Sequence, residues 1–215
     1  MAKIEPSILS CDLTKLGEQV LSACSGGADA LHIDVMDGVY VNNLTFGPRV
    51  VSDLKKITNL PLSVHLEVLN PEKYVDMFAQ AGANVLTFQL DACYNPIHLL
   101  KEIKNNGMKA GVGIGPAYDI QGIKYLLHHI DYIILMSVEP GYEKQAFEES
   151  VYGKLVELKN LMKETGYSIP IAIDGGVDLE KGKKLIELGA TNLIVGSYIF
   201  YSSNIKNTVE KMKKL

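Results

Sequence analysis

Along this chain, short runs rich in Val, Ile, Leu and Ala alternate with longer stretches in which apolar residues recur every three or four positions. The first pattern predicts strands and the second predicts helices that pack by one face. Eight candidate strands run from Lys3 to Ile8, Ala30 to Asp34, Leu62 to Leu66, Val85 to Phe88, Lys109 to Ile114, Tyr132 to Met136, Ile169 to Ile173 and Leu193 to Val195. Helical spacing occupies Leu16 to Ser25, Arg49 to Ile57, Glu72 to Ala81, Ile97 to Asn105, Ile120 to Leu127, Val151 to Thr165, Glu180 to Leu188 and Ile205 to Lys214. Several helices close at Gly-Ala, as at Gly82-Ala83 and Gly189-Ala190, which marks a helix stop followed by a new strand. Strands this short and apolar are expected to be buried on both faces, in a parallel sheet covered by helices. Eight strand-helix units predict a single (β/α)8 barrel over residues 1–215, compact beside the roughly 250 residues usual for that fold. The rival, an open doubly wound sheet, lacks a glycine-rich dinucleotide fingerprint after its first strand.

Composition narrows the function. The chain is 47% hydrophobic and 21% charged, and no apolar run reaches the roughly 18 residues that would cross a membrane. Its start, Met1-Ala2-Lys3-Ile4-Glu5-Pro6, lacks the apolar core of a secretory signal. Cys11, Cys24 and Cys93 cannot all pair and show no metal-ligand spacing, so reduced thiols in the cytoplasm are expected. A net charge of −4 with dispersed lysines leaves no basic stripe for nucleic acid, so the expected partner is a small molecule.

Candidate chemistry gathers at strand ends. In His32-Ile33-Asp34-Val35-Met36-Asp37-Gly38, an imidazole and a carboxylate two residues apart share one face of a strand just before a glycine turn. His65 in Leu62-Ser63-Val64-His65-Leu66 and Asp174 in Ile171-Ala172-Ile173-Asp174-Gly175-Gly176 offer two further ligands. Two imidazoles and two carboxylates without thiolate suit one divalent ion, Zn²⁺, Fe²⁺, Mn²⁺ or Co²⁺. In a barrel these ends face the C-terminal mouth, with Asp34 and Asp174 reaching it from nearly opposite sides. Gly175-Gly176-Val177 and Gly196-Ser197 follow the last two strands, where barrels frequently hold phosphate on backbone N–H groups. His98, His128 and His129 lie at helix ends and carry no such signal; a cation at a helix C-terminus is simply favourable.

With these residues in view, the chain resembles the ribulose-phosphate 3-epimerase family over nearly its whole length. The likeness rests on Pro6-Ser7-Ile8-Leu9-Ser10, His32 to Gly38, Thr45-Phe46-Gly47-Pro48 and Val64-His65-Leu66. It continues in order through Met136-Ser137-Val138, Pro140-Gly141, Asp174-Gly175-Gly176 and Gly196-Ser197. The resemblance implies that His32, Asp34, His65 and Asp174 hold the metal and that Asp34 and Asp174 double as acid and base. It further implies that Ser7, Met36, His65, Met136, Gly141, Gly175, Gly176, Gly196 and Ser197 meet the substrate. The implied reaction inverts C3 of a phosphorylated ketose, with D-ribulose 5-phosphate first and D-allulose 6-phosphate second, in carbohydrate metabolism of the pentose phosphate type. A homo-oligomer is expected, with no membrane or nucleic-acid partner.

The chain departs from the family pattern at several points. Val39 stands where histidine is common, Asn42 where proline is usual, and Gln89 where a histidine ends the fourth strand. Gly115-Pro116-Ala117-Tyr118 replaces an Asn-Pro turn. Glu67 replaces a methionine of the apolar lining and is expected either beside the sugar or turned to solvent. The glycine-rich loop after the sixth strand reads Gly141-Tyr142-Glu143-Lys144-Gln145, which removes backbone freedom and adds a cation able to meet a phosphate. Two other classes compete with an epimerase. A barrel decarboxylase would use an Asp-x-Lys-x-x-Asp array, begun by Asp53-Leu54-Lys55 but broken at Thr58. A sugar-phosphate-binding protein would have no use for two opposed carboxylates.

Overall fold

The computed structural model describes residues 2–215. Eight strands form one parallel sheet: β1 (Lys3–Pro6), β2 (Leu31–Met36), β3 (Leu62–Glu67), β4 (Val85–Gln89), β5 (Lys109–Ile114), β6 (Tyr132–Met136), β7 (Ile171–Asp174) and β8 (Asn192–Val195). Their order, β1-β8-β7-β6-β5-β4-β3-β2, brings the first strand round beside the second. A parallel bridge between Ser7 and His32 and a bond from Asp29 N to Ile4 O at 2.9 Å span that last seam. The result is the expected (β/α)8 barrel.

Outside the barrel lie α1 (Leu16–Ser25), α2 (Pro48–Leu54), α3 (Val75–Ala81), α4 (Pro96–Asn105), α5 (Ser150–Thr165), α6 (Leu179–Glu187), α7 (Ser197–Phe200) and α8 (Ile205–Met212). Their starts follow from capping chemistry. Proline opens α2 and α4, where a missing N–H costs nothing. The Asp178 side chain accepts from Lys181 N at 2.8 Å to cap α6, and Asn204 caps α8 through Asn207 N at 3.0 Å.

The one expected helix that the structure replaces is Ile120 to Leu127, which forms two 3-10 segments, Gln121–Tyr125 and Leu127–His129. Ile120, Ile123 and Leu126 are buried at every third position, with Leu127 buried next to the last, and the three-residue spacing suits three residues per turn better than 3.6. The expected helix Glu72 to Ala81 begins as a 3-10 turn, Pro71–Tyr74, and four short elements fall outside the expected helices: the 3-10 turns Ile8–Ser10, Leu13–Lys15 and Leu90–Ala92 and the single-turn α7. No helix among the described residues is long and apolar enough to cross a membrane.

Alternation along the strands divides two environments. Ile33, Val35, Val64, Leu66, Phe88, Val112, Leu135, Ile173 and Val195 belong to the apolar layer between sheet and helices. The opposite parity fills the barrel itself, and there the two halves differ. Strands β6 to β8 contribute a mainly apolar set, Ile134, Met136, Ala172 and Ile194 beside Tyr132, Asp174 and Asn192, whereas β1 to β4 contribute the buried polar groups Glu5, His32, Asp34, Ser63, His65, Glu67, Thr87 and Gln89. A polar half-lining is costly unless its groups are paired or used. That cost locates the site.

Candidate active site

Register sets the polar residues in tiers. Asp34 lies beside His65 and Met36 beside Glu67 across β2 and β3, while Met136 lies beside Asp174 across β6 and β7. His32 and His65 are fully buried, with ring centroids 5.6 Å apart. Asp174 is the most open of the four candidate ligands, with 14% of its side chain in solvent at the mouth.

The four side chains converge. His32 Nε2 lies 3.0 Å from Asp34 Oδ1 and 3.6 Å from Asp174 Oδ2. His65 Nδ1 lies 3.4 Å from Asp34 Oδ1 and 3.8 Å from Asp174 Oδ2. One ligand atom from each of the four falls within 4.8 Å of every other, so one cation could be held among them. Two further observations fit such an ion. His65 Nδ1 is buried without a hydrogen-bond partner, although carboxylates surround it. On the other side of that ring, His65 Nε2 meets Gln89 Nε2 at 3.1 Å while Gln89 Oε1 is orphaned. A half-turn of the amide lets Oε1 accept the Nε2 proton, pairing both groups and leaving the Nδ1 lone pair facing Asp34 and Asp174.

Electrostatics separates the two aspartates. Burial raises the Asp34 carboxyl, but His32 and His65 outweigh it and hold Asp34 below the ordinary carboxylate range. The Ser7 hydroxyl donates to Asp34 Oδ2 at 2.6 Å and holds the carboxylate in place. Burial and the neighbouring Asp34 charge push Asp174 up to about 7. Burial opposes a charge on His32, yet the Asp34 carboxylate raises it to about 9. Burial lowers His65. Two carboxyl groups in one pocket thus differ in their affinity for a proton.

Above this floor opens a cavity lined by Ser7, Asp34, Met36, Met136, Gly141, Asp174, Gly175, Gly176, Gly196 and Ser197. The structure therefore brings the expected substrate-contact residues to one cavity, with His32 and His65 buried beneath it. At Gly175 φ is +115°, and an added Cβ would stand 2.5 Å from Val138 Cγ2, so only glycine serves there. Glu67, 2% exposed, lines the same cavity, which decides between its two expected orientations. Burial, then the charges of Asp34 and Asp174, raise its carboxyl well above the usual range.

The altered loop after β6 crosses the cavity and is tied at both ends. The Tyr142 hydroxyl donates to Asn42 O at 2.8 Å, and Asn43 Nδ2 donates to Gly141 O at 2.8 Å. On the far side the Tyr201 hydroxyl donates to Glu143 Oε2 at 2.6 Å, and Lys144 Nζ sits 4.7 Å from the centre of the Tyr201 ring. Lys144 adopts φ 60°, a left-handed conformation that costs a non-glycine residue on the order of 1 kcal/mol. Val39 is exposed at the loop tip after β2. Asp53 lies on α2, bonded to Arg49 at 2.8 Å and Lys56 at 2.6 Å, away from any strand end, so it forms no decarboxylase array.

Strand reading missed three contributors. Thr45 Oγ1 donates to Asp34 O at 2.6 Å and accepts from Met36 N at 3.0 Å, fixing the end of β2. Gly113 leaves space for the His65–Gln89 pair, since a Cβ there would lie 2.9 Å from His65 Nε2. Glu5, beneath His32, accepts from the Tyr132 hydroxyl at 2.7 Å and from the Asn192 amide. Only Thr45 left a signal in the sequence, as part of the Thr45-Phe46-Gly47-Pro48 motif.

Comparison with known proteins agrees with this geometry. Among solved structures, a mutant tryptophan synthase α-subunit from Pyrococcus furiosus superimposes with a TM-score of 0.74 at 15% identity over the whole of both chains, a likeness of fold alone. Ribulose-phosphate 3-epimerase of Bacillus subtilis is 39% identical over 99% of this chain and 99% of its own length. The chloroplastic ribulose-5-phosphate-3-epimerase of Arabidopsis thaliana is 39% identical over 98% of this chain and 75% of its own. The family model described as ribulose-phosphate 3 epimerase matches residues 3–200, a span that includes every strand and all four converging side chains, and the chain belongs to that family of isomerases.

Proposed function

We propose that this protein is a metal-dependent 3-epimerase of a phosphorylated ketose, with D-ribulose 5-phosphate to D-xylulose 5-phosphate as the leading reaction. The observation that carries the reading is the pair of aspartates, brought together from β2 and β7 and held at different proton affinities within one cluster of ligand atoms. Inversion beside a ketone needs a base on one face of the carbon and an acid on the other. His32, Asp34, His65 and Asp174 would hold the divalent ion, whose charge, when bound, stabilises the anion formed as C3 loses its proton.

The chain's own groups carry the proton. Asp34, ionised and oriented by Ser7, breaks the C3–H bond and takes the proton onto its carboxylate. Asp174 carries the proton that forms the new C3–H bond from across the mouth, and is left ionised. The pair is then set for the reverse reaction, and resetting it exchanges a proton with solvent. Met36 and Met136 offer the sugar apolar walls that compete with neither the metal nor the acids. Gly175, Gly176, Gly196 and Ser197 would receive the phosphate at the rim. A six-carbon phosphoketose is the second reading, favoured by Glu67 and the tethered loop from Tyr142 to Lys144, which change the cavity wall and cover.

Incubation in deuterated water with a panel of phosphoketoses tests the reading. We expect deuterium at C3 and accumulation of the 3-epimer, with ribulose 5-phosphate exchanging fastest. No exchange with any ketose would sink it. A separate metal titration should give one tightly held divalent ion per chain. His65→Ala should weaken that binding by at least the roughly 10- to 100-fold that loss of a mere supporting partner costs, read in competition with a chromogenic chelator, and full-strength binding by the variant would remove His65 from the ligand set.

A further inference from the structure

Glu67 is the one group on the floor of the cavity to which neither the metal cluster nor the proton transfer gives a role. It is 2% exposed and lines the cavity. Its Oε1 lies 3.8 Å from His65 Nδ1, too far for a hydrogen bond, and its Oε2 has no partner at all. A buried carboxyl oxygen left unsatisfied is destabilising, and the Gly141 backbone N–H that favours this carboxylate does not pair Oε2. A ligand hydroxyl would.

Position in the ring of strands says which hydroxyl. The order β7-β8-β1-β2-β3 places Glu67 four strands from Gly175-Gly176, on the opposite wall of an eight-stranded barrel. A ketose phosphate with its phosphate at those glycines and its reacting carbon between Asp34 and Asp174 directs its other end toward β3. In a 2-ketose that end carries a primary hydroxyl. We propose that Glu67 is a specificity-determining residue that hydrogen-bonds the C1 hydroxyl of the substrate, an assignment that rests on the phosphoketose reading above. A site built around a hydroxyl rejects the analogue lacking it far more strongly than an apolar pocket rejects an added group.

The test reads binding to inert ligands, so it does not depend on turnover. Dissociation constants of xylitol 5-phosphate and 1-deoxyxylitol 5-phosphate are measured calorimetrically for the metal-saturated wild type, Glu67→Gln and Glu67→Leu. The wild type should prefer the hydroxylated ligand by about 30-fold or more, Glu67→Gln should keep most of that preference, and Glu67→Leu should reduce it below about threefold. Loss in Glu67→Leu should fall on the hydroxylated ligand, with metal affinity unchanged and a melting temperature no lower than wild type, since the orphaned oxygen has gone. An unchanged preference in Glu67→Leu, an equal loss for both ligands, a parallel loss of metal, or failure of the wild type to bind either polyol would overturn the assignment. Glu67-dependent discrimination without any C3 exchange would instead refute the epimerase reading and leave Glu67 as a hydroxyl-reading residue.

Discussion

Asp174→Asn is expected to lower kcat on the best phosphoketose by on the order of 10⁴-fold while the far-ultraviolet circular dichroism stays that of the wild type. The amide can still accept a hydrogen bond and occupy the same volume, but it can neither store nor deliver a proton. Structure should survive because the ties that Asp174 makes to the fold use its carbonyl oxygen, which accepts from Ser137 N at 2.7 Å and Ser137 Oγ at 2.9 Å. The variant has to be compared at matched metal content, since the same side chain belongs to the ligand cluster. A sharper signature separates the two roles. With Asp34 intact, the epimer whose C3 proton faces Asp34 should still exchange with solvent deuterium, yet without inversion, because the opposite face has lost its acid. Inversion at near wild-type rate with full metal would reduce Asp174 to a ligand.

The second large effect concerns phosphate. We expect the phosphorylated ketose to be turned over with a kcat/KM at least about 10³-fold above that of the free sugar, because binding energy from a remote group positions the reacting carbon. Gly175, Gly176, Gly196 and Ser197 line the rim proposed to receive the phosphate, and Lys144 is the one Lys or Arg among the described residues lining the cavity. Five carboxyl groups line it too: Asp34, Glu67, Glu139, Glu143 and Asp174. A dianion entering such a cavity gains from a single well-placed cation. Lys144→Met should therefore raise KM for the phosphorylated ketose about tenfold, less at high salt, and leave the free sugar unaffected. Equal or better activity on free sugars would overturn the phosphate assignment.

Much of the architecture was legible because two periodicities run through the chain without interruption. Period-two apolar runs located all eight strands to within two residues at either end, with β5 and β6 matching at both ends. Helix stops at Gly82 and Gly189 lay where a left-handed or tight turn is required. The segment from Ile120 to Leu127 misled because apolar residues at every third position satisfy both a 3-10 turn and, over so short a length, an α-helix. Convergence of His32, Asp34, His65 and Asp174 was readable for a similar reason, since parity put each on the barrel side and barrel geometry sends strand ends to one mouth.

Other features had no signature along the chain. Whether Glu67 turned inward or to solvent depended on where β3 ends, and strand ends are where pattern is weakest. Gly113 looked like any glycine in a strand until His65 and Gln89, from two other strands, were found in the space a side chain would fill. The separation of Asp34 from Asp174 in proton affinity is likewise not a property of either residue, because it depends on two imidazoles from β2 and β3 and on unequal neighbours in three dimensions. By itself, the sequence determined the barrel, the parity of each strand and the residue types presented to its mouth, since these follow from local periodicity and from the few ways a parallel sheet can be covered. Tertiary structure alone decided which nitrogen faces which carboxylate, which carboxyl stays unpaired and how the loop from Gly141 to Gln145 is tethered, because distances between remote strands and the burial they share set those outcomes.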